Sequence, residues 1–100
     1  MTEIKLSRKA AHDLAEIADY TIHEFGIIQA RQYKDSLQNC FNSLQENPML
    51  GRSADDVAPD VTLGLRRIRQ QAHVIFYIKD SDHILIVRVL HHSMDFERHL

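Results

Sequence analysis

Three arginines crowd into one short stretch, Arg66, Arg67 and Arg69, and from Val61 to Ile78 no acidic residue accompanies them. A guanidinium presents a planar fork that matches carboxylates and phosphates with paired hydrogen bonds. The stretch therefore has the chemistry of a docking surface for an acidic partner segment or a phosphate backbone. It equally has the look of an edge strand that charge keeps from aggregating. Strand alternation would place Arg67 and Arg69 on one face and Arg66 on the other. Farther on, Tyr77, His91 and His92 lie on or just after strand-like runs, where an antiparallel sheet could gather some of them beside the arginines. Such a group has the parts needed to cut RNA, with an arginine holding the charged phosphate and a histidine moving protons. In a nuclease the catalytic candidates would be Arg67, Arg69, His91 and His92. The plainer reading makes Tyr77 a core residue and lets the two histidines end a strand.

Seven histidines also invite a search for a metal site. His12 and His23 lie eleven positions apart. His91 and His92 are neighbours that a strand would point to opposite faces, so they are poorly placed to share an ion. No CxxC or HExxH pattern occurs, and no metal or other cofactor is expected. Cys40 falls on an apolar helical stripe and reads as a small core residue instead of a nucleophile. Gly51-Arg52 and Gly64 punctuate a loop without forming a phosphate-binding pattern.

The chain of 100 residues suits one domain, residues 1–100, with a single modest core. Apolar residues make up 44% and charged ones 26%, and the net charge of −2 gives no chain-wide reason to expect nucleic acid or a membrane. A lone cysteine favours a reducing compartment. The N-terminus lacks the apolar run of a signal peptide, and no stretch reaches the ~20 apolar residues of a spanning helix. A soluble, cytoplasmic protein is the expectation.

The positioning elements follow from periodicity. Residues 3–7 alternate as a short strand, and Ser7 occupies a helix N-cap position. Leu14, Ile17, Ala18, Thr21, Ile22 and Phe25 form one helical stripe, closed by Gly26 in a left-handed conformation. Ala30, Tyr33, Leu37, Cys40, Phe41 and Leu44 form a second, ended by Asn47-Pro48. So short a link makes an antiparallel hairpin, which must bury its apolar stripes on a sheet. Residues 49–64 read as loop. The runs 64–70, 72–79 and 83–90 read as strands, the last two joined by a tight turn at Asp80-Ser81-Asp82 and apolar enough to be covered on both faces. The tail, 91–100, has no clear period. The spacing thus predicts an α+β fold: an N-terminal strand and a two-helix hairpin packed on a mainly antiparallel sheet with a three-strand C-terminal meander, β-α-α-β-β-β.

Taken together, LSRKAAHDLAEIADYTIHEFG, QARQYKDSL, LQENPMLGR, GLRRI, HVIFYIK and VRVLHHSMD resemble the ParE branch of the RelE/ParE toxin family along nearly the whole chain. The resemblance implies the toxin of a bacterial type II toxin–antitoxin system. That branch poisons DNA gyrase and blocks replication, without an active site of its own. It implies a ParD-like antitoxin as direct partner, DNA contacted only through that antitoxin, and a heterotetramer or larger complex. Arg66, Arg67, Arg69 and Arg88 would then supply the basic side of the antitoxin or target contact, with Tyr77 beside them. Two alternatives remain on the same fold: a ribosome-dependent mRNA endonuclease of the RelE type, and a non-toxic co-repressor that only binds its antitoxin.

Overall fold

The structure, a computed structural model, describes residues 2–58 and 64–100. Its elements are β1 (Glu3–Leu6), α1 (Arg8–Phe25), α2 (Ile27–Glu46), β2 (Arg52–Ser53), β3 (Arg66–Gln70), β4 (His73–Lys79), β5 (His83–His91) and α3 (Phe96–His99). The Ser7 hydroxyl accepts the Ala10 amide at 2.9 Å and donates to the Val87 carbonyl at 2.7 Å. One side chain therefore starts α1 and ties it to the sheet. Gly26 stands alone between the helices with φ 86° and ψ 168°. Its φ is positive as expected for a closing glycine, but its ψ is extended, a combination open essentially to glycine. The reason is that one residue both ends α1, donating to the Ile22 carbonyl, and begins α2, accepting from the Ala30 amide.

The strands form one sheet in the order β1-β5-β4-β3-β2, with β1 parallel to β5 and the other pairs antiparallel. This is the α+β fold that the periodicity predicts, with two additions. Arg52 and Ser53 pair with Arg67 and Arg66, so a two-residue strand sits inside the segment read as loop. Phe96–His99 make a single helical turn in the tail. Both are too short for a hydrophobic period to reveal. Residues 59–63 of the expected loop lie outside the described residues.

Both sheet faces are covered, as the apolar character of the central strands requires. On one face Ala10 of α1 and Leu37, Cys40, Phe41 and Leu44 of α2 meet Ile75, Tyr77, Ile84, Ile86 and Val89. On the other, Ala54, Ala58 and Leu65 cover Val74, Phe76 and Leu90, with Phe96 and Leu100 packed on them. Each fully buried aliphatic or aromatic side chain contributes about 1.5–3 kcal/mol. Cys40 is buried in the first cluster, as its place on the stripe suggests. The α1 stripe is less completely used. Ala10, Asp13 and Thr21 are buried, whereas Ile22 and Phe25 are 47% and 54% exposed.

One irregularity positions the far end of the sheet. Tyr77 pairs with Ile86 but Phe76 pairs with Arg88, leaving Val87 as an extra residue in β5. Such a bulge reverses the alternation beyond it. Ile84 and Ile86 face the helices before it, and Val89 does so after it. The shift also sets His91 opposite His73.

Candidate functional site

The sequence-identified residues divide between the two faces of the sheet. Arg66 pairs with Tyr77 on the helix side, while Arg67 and Arg69 stand opposite Phe76 and Val74 on the other side. The alternation expected of the arginines is therefore present, and of Arg67, Arg69, Tyr77, His91 and His92 the sheet brings His91, His92 and Arg69 together at its end, while Tyr77 lies in the core on the helix side.

Tyr77 is fully buried. Its hydroxyl donates to the Pro48 carbonyl at 2.9 Å and accepts the Gly51 amide at 2.8 Å. As a residue offered to a partner this is a correction: no part of its side chain reaches the surface, because its ring fills the core and its hydroxyl satisfies a turn. Arg66 serves the same turn, donating from Nε to the Gly51 carbonyl at 3.1 Å and from Nη2 to Gly51 and to Met49 at 3.3 Å. Gly51 is required by space. A Cβ there would lie 2.6 Å from both the Arg67 carbonyl and the Tyr77 hydroxyl.

Arg67 is mostly covered and bonds Asp56 at 2.9 Å. Its Nε is buried without a hydrogen-bond partner among the described residues. Arg69 is exposed, its Nε donating to the Gln71 carbonyl at 2.8 Å. Arg88 makes a two-pronged pair with Asp13, Nε to Oδ2 and Nη2 to Oδ1 both at 2.9 Å, and gives its Nη1 to the His99 carbonyl at 2.7 Å. Hydrogen bonding to Asp13 raises the Arg88 pKa above the ordinary guanidinium value. Asp13 Oδ2 also accepts the Val89 amide at 3.0 Å. β1 pairs with β5 only as far as Ile86. The carboxylate thus satisfies a strand amide beyond the point where β1 ends.

At the end of the sheet the bulge brings His91 and His92, both candidates from the sequence, beside His73 and Tyr33, which the sequence reading missed. His73 Nδ1 lies 2.5 Å from the Tyr33 hydroxyl. Its ring meets His91 edge-on at 5.4 Å, and His91 stacks on His92 at 4.5 Å. Burial, then the neighbouring His91 and His92, hold the His73 pKa down to about 4 against weak opposition from Asp13. His92 is lowered too, by lost hydration and then by Arg69 and His91. His91 Nδ1 is engaged by Ser93, whose hydroxyl lies at 2.7 Å and whose amide donates at 3.2 Å. Asp13 could have been found from its place on the same helical face as Ala10, Leu14 and Ile17, where a carboxylate needs a buried partner. His73 could not. Without the extra Val87 the register of the hairpin would set Leu90 opposite it.

Two recesses open on the helical hairpin. A cleft of 380 Å³ lies between Tyr20, Phe25, Gln32, Tyr33, His73 and His91. A groove of 360 Å³ runs between α1 and α2, floored by Leu14, Ile17, Leu37 and Phe41 and flanked by Arg31 and Lys34. Around the turn joining the helices, Tyr20, Ile22, Phe25, Ile27 and Ile28 are all exposed, Ile28 at 73%. Among the described residues there is no cluster of three or more His, Cys, Asp or Glu side chains able to hold a metal ion. Nor is any helix there long and apolar enough to cross a membrane.

This architecture of a helical hairpin on a five-stranded sheet recurs in a solved chain described as the chromosomal ParDE TA system from P. aeruginosa. The TM-score is 0.72 with 22% identity over 91% of this chain and 96% of that one. That likeness shows the fold. Residues 4–96 match the ParE toxin of type II toxin-antitoxin system, parDE, and the chain belongs to this family. Among its relatives, Toxin ParE1 of Mycobacterium tuberculosis is 38% identical over 96 residues, covering 95% of this chain and 94% of the relative. Toxin ParE1 of Caulobacter vibrioides is 36% identical over 102 residues, covering 100% and 99%.

Proposed function

We propose that this chain inhibits DNA gyrase and so blocks replication, and that a ParD-like antitoxin silences it by direct binding. The observation that carries the antitoxin half is the uncovered apolar end of the helical hairpin. Tyr20, Ile22, Phe25, Ile27 and Ile28 continue the groove between α1 and α2 into solvent. A contiguous apolar surface of this kind marks an interaction site, and a groove between helices accepts the apolar face of an amphipathic segment. Of the arginines first considered for the contact, Arg66, Arg67 and Arg88 are already engaged within the chain. The acidic side chains of an antitoxin would instead meet Arg31 and Lys34 at the groove, with Arg69 available at the sheet end. The gyrase half rests on membership of the ParE family.

The test uses the purified chain. Gyrase supercoiling should fall as the chain is added and recover when the antitoxin is added with it. Arg31→Glu with Lys34→Glu should weaken antitoxin binding at least tenfold at low salt and abolish most of its salt dependence. Supercoiling that proceeds unchanged at saturating chain removes the gyrase reading. A second reading is favoured by one observation, the row His73, His91, His92 and Arg69, which sets imidazoles beside a guanidinium. Ribosome-dependent cleavage of mRNA by the chain, lost on His91→Ala, would replace the first reading with that one.

A further inference from the structure

The cleft between the tip of the helical hairpin and the end of the sheet differs in chemistry from the groove beside it. Tyr20 and Phe25 of α1, Tyr33 of α2, His73 and His91 supply its rings, and Gln29, Gln32 and Gln71 supply amides. Arg31, Lys34 and Asp35 alternate with these residues along α2, yet no Asp, Glu, Lys or Arg is among the described residues that line the cleft. The groove has the opposite character, a mainly aliphatic floor flanked by Arg31 and Lys34, and the two share Thr21 and Tyr33 alone. Burial raises the Tyr33 pKa and, with His91 and His92, holds that of His73 down to about 4, so both rings are neutral near pH 7.

The rings meet at angles instead of stacking. Tyr20 and Phe25 stand 6.4 Å apart at 80°, Tyr33 and His73 5.5 Å apart at 50°, and His73 and His91 5.4 Å apart at 89°. Each pair therefore leaves a ring face without a stacking partner, which a third flat ring can use. Tyr20 and Phe25 are 60% and 54% exposed, so this wall serves no core. Gln71 already gives its amide to Ser36 at 3.3 Å. Gln29 and Gln32 are exposed one turn apart on α2, on the same helical face as Tyr33. A glutamine amide carries donor and acceptor side by side and matches the paired edge of a purine, such as N6 and N7 of adenine. The volume of 380 Å³ lies near the lower end of the ~300–1,000 Å³ of small-ligand sites and suits a single base or nucleoside. We infer that this cleft is a binding site for an uncharged purine, as free base or nucleoside, stacked on the rings and read along its edge by Gln29 and Gln32. Charge decides against the same base within a nucleic-acid strand. A strand's phosphates call for lysines and arginines beside them, and the lining supplies none. The site stands apart from the gyrase and antitoxin readings and does not depend on either.

The test is an NMR titration of the isotope-labelled full chain with adenosine, AMP, indole and a short oligoadenylate. Adenosine should move the side-chain amide signals of Gln29 and Gln32 and the backbone signals of Tyr33 and His73 in a saturable way. AMP should bind no more tightly than adenosine. Indole, a flat ring without the paired edge, should bind at least tenfold more weakly. Gln29→Leu with Gln32→Leu should weaken adenosine at least tenfold without weakening indole. Asn39→Leu makes the same kind of change outside the cleft and should keep the affinity for adenosine. All three positions are exposed, and spectra unchanged away from the substitutions show that the variants fold. Adenosine that gives no saturable shift up to its solubility limit overturns the inference. So does indole that binds as tightly as adenosine and keeps its affinity in the glutamine variant, which would assign the cleft to an aromatic side chain of a protein partner. Oligoadenylate that binds at least tenfold more tightly than adenosine, and loses that advantage in high salt, overturns the free-ligand assignment and gives the base to a strand.

Discussion

Replacing Asp13 by alanine removes one carboxylate and three hydrogen bonds at once, those from Arg88 Nε and Nη2 at 2.9 Å and from the Val89 amide at 3.0 Å. The Asp13 side chain is 9% exposed and that of Arg88 15%, so water cannot readily replace the lost partner on either side. Breaking a buried ion pair by removing one member costs about 3–5 kcal/mol. An orphaned buried amide adds roughly 1–3 kcal/mol. Arg88 keeps its bond to the His99 carbonyl and some contact with solvent, which places the expected total near the lower sum, about 4 kcal/mol. Against a total stability of about 5–15 kcal/mol this is a large fraction. At roughly 4–8 °C per kcal/mol for a domain of this size, Tm should fall by some 15–30 °C. Asp13→Asn should lie between, since an amide oxygen still accepts one bond but offers no charge. Urea denaturation of the single changes, Arg88→Met and the double change gives the coupling directly, expected at more than about 1.5 kcal/mol. A cost for Asp13→Ala below 1 kcal/mol would refute the idea that this carboxylate holds the end of β5.

Three further outcomes follow from the turn after α2 and from the half-buried His73. Tyr77→Phe should cost about 1–3 kcal/mol in urea denaturation, because the Gly51 amide and Pro48 carbonyl lose their shared hydroxyl. Gly51→Ala should cost at least as much, since its Cβ has 2.6 Å where normal contact is wider. The His73 imidazole, with its pKa held down to about 4 from 6.5, makes stability fall with acid. Above pH 6.5 it is neutral folded or unfolded. Between 6.5 and 4 the unfolded chain binds a proton that the folded chain refuses, so the contribution shrinks as pH drops through that window. Discounted for the partial exposure of the ring, the loss is about 1–2 kcal/mol, and His73→Phe should flatten the profile.

The helices and the three C-terminal strands were legible because each is long enough to show a period and each ends at a residue with a local reason to end it. Ser7, Gly26 and Pro48 mark boundaries that need no knowledge of the rest of the chain. The candidate site was legible only in part. The arginines announce themselves by composition, but whether an arginine is free depends on what lies across the fold. Arg88 meets a carboxylate 75 positions away, and Arg66 is consumed by a turn 15 positions earlier. Tyr77 stands in an apolar run that correctly signals core, and its hydroxyl explains why that position is not phenylalanine. His91 and His92 stood out in the sequence, but their neighbour His73 was invisible because an extra residue in β5 sets the register, and a bulge leaves no mark on composition.

The single residue between the two helices has a cost that falls outside folding. A longer connection could bend back and tuck Phe25, Ile27 and Ile28 against neighbouring side chains. Gly26 alone gives them no slack, so they stay in water for as long as the chain is by itself. Molecules carrying a greasy end of fixed shape adhere to one another as their concentration rises. Self-association that grows with concentration, and that falls when another molecule covers that end, is therefore the expected solution behaviour.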